Sequence, residues 1–89
     1  MASTHTRQNC NYRIGTDTLP DGKVRAQARG RKTSRRTFAS GTTHEDAAAQ
    51  LALKIEGPER FAYVEKASAG VTRLGHEATD WSVFVKTEV

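Results

Sequence analysis

Residues 42–58, TTHEDAAAQLALKIEGP, decide the architecture. Thr42 and Glu45 have the spacing of a capping box, in which the threonine accepts a backbone N–H and the glutamate reaches back to the cap. Glu45 and Asp46 also suit the positive end of a helix dipole, so capping accounts for this acid pair without invoking acid–base chemistry. Ala48, Leu51, Ala52 and Ile55 then recur at i, i+3, i+4 and i+7, which is one apolar stripe. Gly57-Pro58 ends the helix, because glycine accepts the left-handed cap and proline cannot continue. His44 falls in the first turn and reads as a surface residue. A short, alanine-rich helix has little side chain to bury, so it must lie close against a sheet.

Upstream, Tyr12 to Thr18 alternates, with Tyr12, Ile14, Thr16 and Thr18 on one face, as in a strand. Leu19-Pro20-Asp21-Gly22 is a turn signal. Lys23 to Arg29 alternates again: Val24, Ala26 and Ala28 face one way, and Lys23, Arg25, Gln27 and Arg29 the other. Gly30 to Ser34 reads either as a turn or as an irregular passage through one long strand. Arg35 to Ser40 is extended, with Phe38 as its core anchor. Residues 1–10 have no periodicity and read as a flexible tail.

Downstream, Phe61 to Glu65 is a strand, and Ala67 to Asp80 is loop-like with a short strand near Val71 to Leu74. Trp81 to Lys86 carries large side chains on both faces and reads as the best-covered strand, with Trp81 and Phe84 in the core. The order β-β-(β)-α-β-β predicts an α+β fold. An antiparallel sheet of four or five strands carries one helix on a face, and residues 11–89 form a single domain.

Eighty-nine residues allow one domain with a thin core. No run approaches the ~20 apolar residues of a membrane span, and Met1 to Cys10 lacks the apolar region of a secretory signal. The single cysteine excludes an internal disulfide framework and multi-cysteine zinc sites. The expectation is a cytoplasmic protein without metal or cofactor. Cys10 has no basic neighbour to activate it and reads as an incidental thiol. His5, His44 and His76 lack metal-ligand spacing. Gly30-Arg31-Lys32-Thr33-Ser34 lacks the first glycine of a phosphate loop and does not open into a helix. With no nucleophile, base and orienting group to assemble, the chain is expected not to be an enzyme.

Charge carries the functional signal. Residues 1–36 hold nine Lys/Arg against Asp17 and Asp21, whereas residues 37–89 hold five against eight acids. Lys23, Arg25, Arg29, Arg31, Lys32, Arg35 and Arg36 fall within fourteen positions that no acid interrupts. Alternate strand positions project cations about 6.5–7 Å apart, near the spacing of successive phosphates. Tyr12, and Phe38 if it faces outward, add stacking surface for unpaired bases. Lys23, Arg25, Gln27, Arg29, Arg31, Lys32, Arg35 and Arg36 are therefore the candidate binding residues. Nucleic acid, a nucleoprotein or an acidic protein surface would satisfy them.

Two resemblances sharpen this. Residues 11–53 resemble the three-stranded DNA-reading domains of plant ethylene-response proteins and the arm-binding domains of phage integrases. The shared outline is Asp21-Gly22-Lys23, the strand Val24-Arg25-Ala26-Gln27-Ala28-Arg29, the ending Phe38-Ala39-Ser40 and the helix opening Glu45-Asp46-Ala47-Ala48. That resemblance implies a sheet entering the major groove, with contacts from Arg25, Gln27, Arg29 and Arg36. In organisation the chain is also similar to small anti-CRISPR proteins of phages and mobile elements. Tyr12 to Ser40 stands for their hairpin, Thr42 to Ile55 for a capped helix and Phe61 to Val85 for a closing hairpin. This implies a stoichiometric, non-catalytic inhibitor docking on a host defence nucleoprotein. The alternative is a DNA- or RNA-binding domain that uses the same arginines.

Overall fold

A computed structural model describes residues 4–30, 38–71 and 75–88. Along the chain run β1 (Thr4–Thr18), β2 (Val24–Gly30), β3 (Phe38–Gly41), α1 (His44–Glu56), β4 (Phe61–Val71) and β5 (Glu77–Glu88). The strands form one antiparallel sheet in the order β3-β2-β1-β5-β4, with α1 packed on one face. The fold is α+β, as the sequence predicts.

The expected turn joins β1 to β2. The Leu19 N–H donates to the Lys23 carbonyl at 2.7 Å, and the Gly22 N–H to the Leu19 carbonyl at 2.9 Å. Thr18 then stands opposite Val24, which fixes the register of the whole hairpin. The central strand is β1, with β5 at its other side, rather than Trp81 to Lys86 alone being the best-covered segment.

Three stretches of sheet escape the periodicity. Residues 4–10, expected as a flexible tail, lie in β1, where Thr4 to Asn9 pair with Val83 to Glu88 of β5. Within the predicted 67–80 loop, residues 67–71 are instead the end of β4 and residues 77–80 the start of β5, while residues 72–74, where most of the expected short strand falls, lie outside the described residues. These segments are polar, so ladder hydrogen bonds to a neighbour hold them rather than their own apolar alternation. β4 has one extra residue between Phe61 and Tyr63 and another between Lys66 and Ser68, and each shift resets which side chains face the core.

The helix begins one residue later than the capping box implies. Thr43, in extended conformation, is the cap, and its Oγ1 accepts the Asp46 N–H at 3.0 Å. Thr42 and Glu45 are exposed. At the other end Gly57 has φ +86° and donates its N–H to the Leu53 carbonyl at 2.7 Å, a conformation that disfavours any residue with a Cβ. Ala47, Ala48, Leu51 and Ala52 are fully buried against Ile14, Val24, Ala26, Trp81, Val83 and Val85. The small alanines let helix and sheet approach closely.

Two polar groups tie this core. Thr16 Oγ1 accepts Trp81 Nε1–H at 2.9 Å, lies 3.2 Å from the Thr79 carbonyl and is 2.8 Å from His44 Nδ1. His44 is therefore not a plain surface residue. Its ring lies between Thr16 and Thr18, with Nε2 3.0 Å from Thr18 Oγ1 and 3.8 Å from Glu77. At the helix end the Glu56 carboxylate, 1% exposed, accepts Tyr12 O–H at 2.6 Å and pairs with Arg60 Nε at 3.3 Å. A carboxylate in the last helical turn opposes the dipole, and these two donors offset that cost.

Candidate functional site

α1 covers one face of the sheet. On the other, register sets the side chains in rows that cross the strands. Antiparallel partners share a face, so the pairs Arg25–Asp17, Asp17–Ala78 and Ala78–Gly70 form the first row. Gln27, Gly15, Asp80 and Ser68 form the second. In the third, Arg29 stands directly opposite Arg13.

The two β2 arginines differ. Arg25 is held by Asp17 through two contacts, Nη2–Oδ2 at 2.8 Å and Nε–Oδ1 at 3.3 Å. Arg29 is 69% exposed, and its guanidinium crosses the bare floor at Gly15 to stand 3.9 Å from Asp80. No carboxylate among the described residues pairs with Arg13, whose nearest strand neighbour is a like charge. Like charges directly opposite on adjacent strands destabilise a sheet. The rows enclose a shallow hollow of about 280 Å³, bounded by Arg25, Gln27, Arg29 and Asp80 and floored by Gly15 and Ala78. Farther along the same face Tyr63 and Phe84 stack, with ring centroids 4.7 Å apart and planes 7° from parallel.

Of the eight candidates, Arg25, Gln27 and Arg29 share this face. Lys23 is exposed in the turn, just before β2 rather than on its outer face. Arg31, Lys32, Arg35 and Arg36 lie outside the described residues, as does the question of a turn or continuous strand at residues 30–34. Tyr12 does not offer a stacking surface: it is 2% exposed and held under the helix by Glu56. The Phe38 side chain falls outside what is described. Phe84, expected in the core, faces away from the helix because it follows the buried Val83 and precedes the buried Val85.

Arg13, Gly15, Asp17, Tyr63, Asp80 and Phe84 are the residues that sequence reasoning missed here. One signal was available for Arg13. With Tyr12, Ile14 and Thr16 turned inward, Arg13 points outward, and closing the hairpin on Thr18 and Val24 places it opposite Arg29. Among the described residues, no group of three or more His, Cys, Asp or Glu is placed to hold a metal, and no helix is long and apolar enough to cross a membrane.

No family model, curated protein or solved structure matches the chain.

Proposed function

We propose that this is a cytoplasmic, non-enzymatic binding protein whose helix-free sheet face docks on a host defence nucleoprotein, and that it acts there as a phage- or mobile-element-encoded inhibitor of the anti-CRISPR kind. The carrying observation is the Arg13–Arg29 pair. Two arginines in register on adjacent strands, with the Arg29 guanidinium drawn across Gly15 toward Asp80 and no carboxylate on Arg13 among the described residues, leave a cationic edge that an anionic partner relieves. The Arg25–Asp17 clamp supports a nucleoprotein over bulk phosphate neutralisation, because a face carrying both signs selects partners by specific pairs. The resemblance in organisation to small anti-CRISPR proteins supports the inhibitory role.

A second reading, direct DNA or RNA binding through the same arginines, is favoured by the Tyr63–Phe84 stack farther along the same face. Purified CRISPR effector complexes loaded with guide test the first reading. The expected result is stoichiometric binding that blocks target-DNA capture and is lost in Arg13→Glu/Arg29→Glu. Undiminished inhibition by that double variant would falsify the proposal.

A further inference from the structure

We infer that the helix-free face takes an unpaired stretch of nucleic acid, with bases against the sheet and phosphates on the arginines, rather than a duplex. The inference rests on the proposed docking face and names the part of the nucleoprotein it contacts. The array combines three chemistries. Arg13 and Arg29 offer guanidinium groups for phosphate oxygens. Asp80, with Ser68 Oγ donating to it at 3.4 Å, offers a carboxylate in the middle of the face. Tyr63, 43% exposed, and Phe84 offer ring faces.

A duplex presents phosphates on its outside and seals its base faces, so the carboxylates would repel it and the rings would find nothing to stack on. Unpaired bases expose both π-faces and N–H edges, and these suit the rings and the carboxylates. Along β5 the helix-free face carries Asp80, Phe84 and Lys86 at four- and two-residue intervals, with Ser82 between the first two buried under Gln8, and an extended single strand matches the repeat of about 6.5–7 Å per two residues. The hollow of about 280 Å³ beside Asp80 and Arg29 has room for one base. Asp17, already clamped to Arg25, forms one wall and leaves Arg13, Lys86 and Arg29, the last held only at 3.9 Å from Asp80, to set the salt dependence.

Fluorescence anisotropy with labelled single-stranded DNA, single-stranded RNA and duplexes of each, at two salt concentrations, tests this. Single strands are expected to bind at least tenfold tighter than duplexes. Tyr63→Leu, which keeps apolar cover but removes the ring, should weaken binding severalfold without changing the salt slope. Arg13→Gln/Arg29→Gln should flatten the slope. Phe84→Ala is a second aromatic test if circular dichroism shows native secondary structure. Equal or tighter duplex binding overturns the inference, as does binding indifferent to Tyr63→Leu. Inhibition of an effector without any oligonucleotide binding sinks the inference and leaves the docking reading standing. Single-strand binding without capture of any effector sinks the docking reading instead.

Discussion

Arg29 lies across Gly15. A Cβ placed on Gly15 would come within 3.0 Å of the Arg29 Cζ and Nε atoms, so the side chain on β2 reaches toward Asp80 because β1 offers nothing in its way. The obstruction would be the far end of a flexible arginine. At Gly41 a Cβ would instead meet the Ala47 backbone nitrogen at 2.8 Å.

Gly15→Ala and Gly41→Ala should therefore separate. Gly15→Ala is expected to leave stability within about 0.5 kcal/mol while displacing the Arg29 guanidinium. Gly41→Ala must move the first turn of α1 off the sheet and should cost ~1–3 kcal/mol. Urea denaturation of both variants checks the contrast. Equal losses would mean that the space above Gly15 is not the open end of Arg29.

The helix start gives a second paired test. Thr43→Ala should cost ~1 kcal/mol by removing the acceptor for the Asp46 N–H, and Thr42→Ala should cost little. Thermal melts in which Thr42→Ala is the worse variant would move the cap back by one residue.

That one-residue offset shows what the sequence could and could not convey. Either threonine satisfies the capping pattern, and the decision comes from His44, which Thr16 and Thr18 hold against β1. The helix stripe, the Leu19–Gly22 turn and the inward set Tyr12, Ile14 and Thr16 were legible because local periodicity reports burial. Thr4 to Asn9 and Ser68 to Val71 were not, since cross-strand pairing makes them strands and their side chains carry no signal for it. The candidate site was half legible. Alternation gave Arg25, Gln27 and Arg29 their common face, but Asp17, Asp80, Tyr63 and Phe84 join it only through register. Phe84 looked like core on the strength of its size alone.

Thr16→Val keeps the shape of a buried side chain and deletes its oxygen. Trp81 Nε1–H and His44 Nδ1 both lose their partner, and the expected cost is ~1–3 kcal/mol. Trp81 is the only tryptophan in the chain, so its fluorescence reports the change directly. Thr16→Ser should recover most of the loss. Failure of Thr16→Ser to recover it would assign the effect to the methyl group instead.

The Tyr12 phenol is pushed far above its ordinary range by burial, and its hydrogen bond to Glu56 pushes it further. Its folded-state pKa exceeds the unfolded value near 10, so the associated stability is complete below about pH 10 and declines as the pH rises beyond it. Tyr12→Phe should lower stability at neutral pH by ~1.5–3 kcal/mol, through the lost bond to a charged carboxylate. The variant should also show a shallower alkaline decline. Denaturation series from pH 8 to pH 11 in both proteins measure this, and identical alkaline slopes would exclude Tyr12 as the source.

The neighbour order has a consequence during synthesis. β1 pairs with β2 as soon as the hairpin is made, but its other edge pairs with β5, the last strand of the sheet. Until residues 77–88 have left the ribosome, β1 presents open backbone N–H and C=O groups to the cell, and Ile14 and Thr16 lack Trp81 beside them. Assembly of the sheet is thus a late, long-range event, and a nascent chain stalled before β5 would expose an edge ready to pair with another polypeptide.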